Sequence, residues 1–308
     1  MLSVFTIIHP LIDACSMSVL VAGGITWKRV VVYNALAFAL QFPLGGVMDK
    51  WPRFTQLWFF LGTGLVFAAS VACAFGIGGW WCLVPACVGN ALFHLTAGKH
   101  VLETHGGRAG PIGLFISTGA LGLMAGQVWA AKAAEACLIV FALALAVCTT
   151  LVAILAWKGR VSEPLFSGVA KHAPAGKPVA IVPMLILAGL FVLIAWRSWA
   201  GMLAVGRSAG ACTFMMLAGA AVTFAGKITG GYIAEHVGCL KVTMFSVAGS
   251  AALAFFCEPA WIAAWLVFLF VAQLATGPVL SLVYEKMDCR GGTAFGLNCL
   301  GLFVGGVV

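Results

Sequence analysis

Eleven apolar runs, each close to the length of a membrane-crossing helix, follow one another along this chain with short polar breaks between them. They fall near residues 3–23, 30–48, 54–76, 79–98, 110–131, 137–157, 179–203, 209–234, 241–257, 261–284 and 293–308, divided by clusters of Gly, Pro and charge. An α-helix needs about 20 predominantly apolar residues to cross a hydrocarbon core of roughly 30 Å, and there each backbone polar group must find its partner within the helix. The expected class is therefore an all-α integral membrane protein embedded in the lipid bilayer. A membrane β-barrel would show short alternating segments instead. Composition agrees, with 63% hydrophobic and 8% charged residues, against about 25% charge in an average soluble domain.

The one sizeable polar interruption is KGRVSEPLFSGVAKHAPAGKP, residues 158–178. It reads as a cytoplasmic linker between a six-helix bundle over 1–157 and a second bundle over 179–308. The last run, about 16 residues, is short for a span, so eleven of twelve helices are expected, with the second bundle incomplete. The 11 cysteines, Cys15, Cys73, Cys87, Cys148 and Cys212 among them, are scattered through apolar runs without CxxC or metal spacing. Neither a disulfide framework nor a metal or other cofactor is expected.

The net charge of +8 comes from bases dispersed singly between apolar runs, which argues for topology and against nucleic acid. If the break after the second run is cytoplasmic, the alternate breaks hold Lys50, Arg53, Lys99, Arg108, Lys158, Arg160, Lys171, Lys177, Lys227, Lys241, Lys286 and Arg290, which are 12 of the 17 bases. The N-terminus and the 158–178 segment then face the cytoplasm, and a multi-pass protein of the plasma (inner) membrane is expected. The first run lacks a basic leader and carries His9 and Asp13, unlike a signal peptide.

Within the apolar chain, PLGGVMDKWPRF at 43–54 gathers three charges beside two glycines, and GGYIAEHVGCLK at 230–241 echoes it. Aligned on the acid, Gly45-x-x-x-Asp49-Lys50-x-Pro52-Arg53 corresponds to Gly231-x-x-x-Glu235-His236-x-Gly238, with Lys241 beyond. The offset of 186 residues (235 − 49) matches six spans with their loops and marks internal duplication. A glycine lets a neighbouring helix approach, the acid can pair with a base or a helix N-terminus across the bundle interface, and the bases anchor among headgroups. The pair is read as a cytoplasmic gate.

These motifs resemble the major facilitator superfamily, whose loop between helices 2 and 3 reads G-x-x-x-D-R-x-G-R and recurs, weakened, between helices 8 and 9. Here Pro52 stands where that family prefers Gly, and Glu235, His236 and Cys239 stand for Asp, Arg and Arg. Further stretches, IIHPLIDACSMSVL, YNALAFALQFPLGGVMD, ALFHLTAGKHV, GLFISTGALGLMAG and AWRSWAGM, resemble the fosmidomycin-resistance branch, although FHLTAG lacks that branch's Pro and Glu after the His. The resemblance implies the major facilitator fold of two pseudo-symmetric bundles. It also implies secondary active transport, with proton-coupled efflux of a small molecule or drug; the alternatives are a non-transporting scaffold or sensor on the same fold, or a proton-coupled importer of a small anion or sugar, and a monomer is expected.

Ionisable residues inside spans are costly and so become candidates. His9 and Asp13, at i and i+4 on one helix face, can take up and release protons and are assigned to proton coupling. Arg197 either snorkels from the end of the seventh run or lies deep and meets Asp13 or an anionic substrate; the resemblance favours depth. His94, Asn34 and Gln41, seven apart on one face of the second run, and Gln127 and Gln273 complete the expected cavity lining. Lys99 and Glu103 read as a solvated interfacial pair. The glycines of STGALGLMAG read as helix contacts, since a phosphate loop would need a preceding strand. No nucleophile–base constellation appears, so an enzyme is not expected.

Overall fold

The structure is a computed structural model describing residues 2–157, 181–207, 213–256 and 262–307, among which every regular element is helical. In chain order the helices are α1 (Leu2–Ala22), α2 (Trp27–Lys50), α3 (Thr55–Ala74), α4 (Trp80–Thr104), α5 (109–132) and α6 (134–157). They continue with α7 (Ile181–Arg207), α8 (Thr213–Val237), α9 (Cys239–Phe256), α10 (Ile262–Lys286) and α11 (Gly291–Val307). Helices α5 and α6 form one run, Ala109–Trp157, broken at Ala133, whose φ −154° and ψ 69° are extended rather than helical. That break sits between Lys132 and Glu135, where the apolar pattern fails. Seven helices are long and apolar enough to cross a membrane among the described residues, the α5–α6 run counting as one. The expected 158–178 linker lies outside the described residues.

Burial is inverted relative to a soluble protein. Large apolar side chains such as Leu57, Leu143, Met184 and Phe214 face outwards, whereas His9, Asp13, Gln41, Asn90, His94, Lys99 and Arg197 are buried. A hydrocarbon surround makes this arrangement favourable, because polar groups find partners only inside. Trp51, Trp80 and Trp81, at helix ends, are exposed as an interfacial belt requires. The core joins Phe5, Ile12, Phe93, Phe115 and Phe295 from α1, α4, α5 and α11.

Small residues set the helix separations. On α5, a Cβ at Gly126 would lie 2.5 Å from the Ala14 carbonyl oxygen, and one at Gly122 would collide with Pro10, so α1 and α5 touch backbone to backbone. The STGALGLMAG stretch is thus a helix contact in which bulk is excluded.

Candidate functional site

Three helices converge on one buried cluster. Helix α1 presents His9 and Asp13 one turn apart, α4 presents Asn90 and His94 in the same way, and α5 supplies the Phe115 carbonyl. His9 Nε2 lies 3.2 Å from Asp13 Oδ2, and His94 Nε2 lies 3.4 Å from Asp13 Oδ1. Asn90 donates through Nδ2 to Asp13 Oδ1 at 3.0 Å and to Ser16 Oγ at 3.3 Å. His9, Asp13 and His94 are 3%, 5% and 8% exposed, so water does not screen them.

The partners of the two rings decide their tautomers. His9 Nδ1 is 2.7 Å from the Phe115 carbonyl oxygen, and His94 Nδ1 is 2.8 Å from the Asn90 carbonyl oxygen. A carbonyl only accepts, so both Nδ1 atoms carry hydrogen and both Nε2 atoms present lone pairs. Those Nε2 atoms lie 2.7 Å apart. Two lone pairs at that distance repel unless a cation stands between them, and the nearest carboxylate is Asp13. This geometry can hold one proton between two imidazoles, with the carboxylate offsetting its charge. On α5, a Cβ at Gly119 would lie 2.5 Å from Asp13 Oδ2 and 2.6 Å from His9 Nε2, so only glycine leaves this space.

The structure therefore places His94 in the group with His9 and Asp13, whereas sequence reasoning put it with the substrate-cavity residues. Asn90 was not singled out at all. Its signal was the same i, i+4 spacing to His94 that had marked His9 and Asp13.

Arg197 is 8% exposed and donates a short hydrogen bond to Thr276 Oγ1, which in turn donates to Gln273 Oε1 at 3.1 Å. It lies inside the protein, beside a small cavity lined by Trp196, Ser246, Ser250 and Val279, and not against Asp13. Lys227 corrects its expected place among cytoplasmic bases: it lies inside α8, its ammonium donating to the Ile116 carbonyl oxygen on α5 at 3.2 Å. Counting bases cannot tell a loop lysine from one that an unpaired carbonyl receives within the bundle.

Among the amides, Asn34 Nδ2 donates to the Val30 carbonyl at 2.9 Å and Gln41 Nε2 to the Ala37 carbonyl at 2.6 Å, each in its own helix. The shared face expected from their spacing is corrected by a π-helical turn over Ala35–Ala39, which adds a residue and rotates Gln41 away from Asn34. Gln41 is buried, whereas Asn34 and Gln127 are half-buried.

At one end of the protein the two repeated acids make matching contacts. Asp49 accepts from the Gly292 and Thr293 backbone N–H groups at 2.9 and 2.7 Å and from Thr293 Oγ1 at 2.6 Å, capping the first turn of α11. Glu235 accepts from the Gly110 N–H at 3.0 Å, capping α5, and from Arg108 at 2.5 Å. This hydrogen bond holds the Arg108 pKa above its ordinary value. Each acid sits on one half of the repeat and caps a helix of the other, where unsatisfied N–H groups and the helix dipole favour negative charge. The glycines one turn earlier match as well. A Cβ at Gly231 would lie 2.5 Å from the Ala109 carbonyl oxygen, and one at Gly45 would collide with the Gly292 carbonyl.

Lys99 pairs with Asp49 at 2.7 Å and with Glu103, and all three side chains are buried or nearly so, which corrects the solvated pair expected of Lys99 and Glu103. Lys50, Arg53, His236, Gly238 and Lys241 are exposed. Lys50 and Arg53 lie over the rings of Trp51 and Phe54, as headgroup anchors do.

No protein-family profile and no curated protein matches this chain. Solved structures do. The major facilitator superfamily transporter FucP in the outward conformation matches with a TM-score of 0.59 and 13% identity, over 98% of this chain and 89% of that one. A second structure of the E. coli fucose:proton symporter FucP gives 0.61 and 13%, over 98% and 88%. A bacterial homologue of the iron transporter ferroportin, in an outward-facing state, gives 0.59 and 15%, over 99% and 89%. These likenesses establish the fold: the chain adopts the major facilitator fold.

Proposed function

We propose that this chain is a secondary active transporter that couples proton movement to efflux of a small molecule by alternating access, as a monomer in the plasma (inner) membrane. The observation that carries the reading is the buried pair of imidazole lone pairs beside Asp13, a receptor for one proton at the centre of a transporter fold. His9, Asp13 and His94 take the proton, and Asn90 holds Asp13 in place. Arg197 and Lys227 bring positive charge into the interior, which suits an anionic or amphiphilic drug-like substrate, with Gln273, Gln127, Asn34 and Gln41 as polar lining. The two capped helices form the gate. With both acids engaged, the face expected to be cytoplasmic is held closed. Efflux rests on the fosmidomycin-resistance resemblance.

Proton-driven uptake is the second reading, favoured by the likeness to a fucose:proton symporter. Proteoliposomes carrying the full chain, loaded with a panel of labelled small anions, sugars and drugs, separate the two. Export against an opposing proton flow supports the proposal. Accumulation along the proton gradient supports uptake, and no gradient-dependent movement of any compound overturns both.

A further inference from the structure

We propose that His9, Asp13 and His94 also form a binding site for one divalent transition-metal ion of borderline softness, such as Zn2+ or Co2+. The three side chains each offer one ligand atom, and these atoms all lie within 4.8 Å of one another, in a fully buried cluster from α1 and α4. Ligand atoms about 2.1 Å from a tetrahedral ion stand roughly 3.4 Å apart. The imidazole–carboxylate separations, 3.2 Å from His9 to Asp13 Oδ2 and 3.4 Å from His94 to Asp13 Oδ1, are of that size but reach different oxygens, so Asp13 binds through both or turns to present one. The two Nε2 atoms, 2.7 Å apart, need to part only slightly, which a small rotation of either ring supplies.

The surrounding contacts are those of a metal site. Metal-binding imidazoles hold their remote N–H against a carbonyl or carboxylate, which fixes the tautomer and aims the lone pair. Both rings do so here, on the Phe115 and Asn90 carbonyls. The carboxylate is oriented by the Asn90 amide. Two imidazoles and one carboxylate suit zinc, cobalt and iron, and they leave a fourth position open.

Lys227 is the opposing influence, since its ammonium acts on both Asp13 and His94, although it is hydrogen-bonded to the Ile116 carbonyl. It lowers affinity for a dication without occupying the site. Metal and proton claim the same lone pairs, so they exclude one another. The inference concerns binding and stands whether or not the chain transports.

The test is Co2+ titration of the purified, tag-free full chain in detergent, followed by absorption and by equilibrium dialysis. One ion per chain is expected. Asp13→Asn and His94→Gln should each weaken binding at least tenfold, Asn90→Ala roughly 10- to 100-fold as a positioning residue, and Lys227→Met should tighten it severalfold. Zn2+-loaded wild-type protein, measured by X-ray absorption, should show two imidazoles on the metal, which keeps the question decidable if a variant fails to fold. Wild-type protein without stoichiometric binding, affinity unchanged in both ligand variants, or a metal shell without imidazole overturns the inference. A chain that binds Co2+ but moves no proton refutes the transport reading alone. One that moves protons with a substrate but binds no Co2+ refutes this inference alone.

Discussion

At the scale of the residue, Asp13 is a carboxylate that a membrane interior penalises heavily unless its surroundings compensate. Two imidazoles and the Asn90 amide do so, and under the proposed function the group acts as a unit. Proton-coupled transport by His94→Gln, Asp13→Asn and the double variant should therefore be equally low, with the double loss well short of the product of the single losses. Multiplying losses would show independent roles. Gly119→Val should abolish coupling while leaving the protein folded in detergent, because its side chain meets Asp13 and His9 and fills the space the proton site uses. Normal coupling in that variant would place the site elsewhere. The His9–Asp13 pair was legible because i, i+4 spacing on one helix is enough to bring two side chains together. His94 and Asn90 join from 77 or more positions away, and no spacing rule reports a contact between helices.

At the scale of the element, the two acid caps differ in strength. Asp49 accepts three hydrogen bonds at the start of α11 and pairs with buried Lys99, whereas Glu235 caps α5 beside Arg108, whose side chain is 64% exposed. Loss of a cap costs about 1 kcal/mol, and Asp49→Ala also leaves Lys99 with Glu103 alone. Asp49→Ala should open this face more than Glu235→Ala does. Spin labels at the exposed positions Arg53 and Arg290 would report it as a larger population of long distances. Equal distributions would mean that the caps do not hold the face shut. The duplication behind these caps was legible because both copies sit at equivalent helix ends. The π turn in α2 was not, since hydrophobic periodicity hardly registers one extra residue among apolar neighbours.

At the scale of the whole molecule, the bilayer explains why so much of the architecture could be read. Each helix must satisfy its backbone within roughly 20 apolar residues, so the runs and their breaks predict spans directly. What lay beyond reach was the depth of charged residues along a span. Arg197 and Lys227 are both interior, and each is received by an uncharged partner, Thr276 or the Ile116 carbonyl, that composition cannot reveal.

The expected orientation puts Arg53 on the cytoplasmic side and Phe75, which is exposed just beyond α3, on the outer side. An impermeant thiol reagent applied to intact cells should label a cysteine at 75 and spare one at 53, in a background without reactive native thiols. The opposite pattern would invert the molecule.

The most direct test of the central claim, that the Asp13 cluster carries the coupled proton, uses a pH-sensitive dye in energised inverted vesicles. Small anions, sugars and drugs are added in turn to vesicles holding wild-type protein or Asp13→Asn. The account predicts that at least one compound dissipates the proton gradient in wild-type vesicles and that none does so with Asp13→Asn. Dissipation of equal extent in both would contradict it.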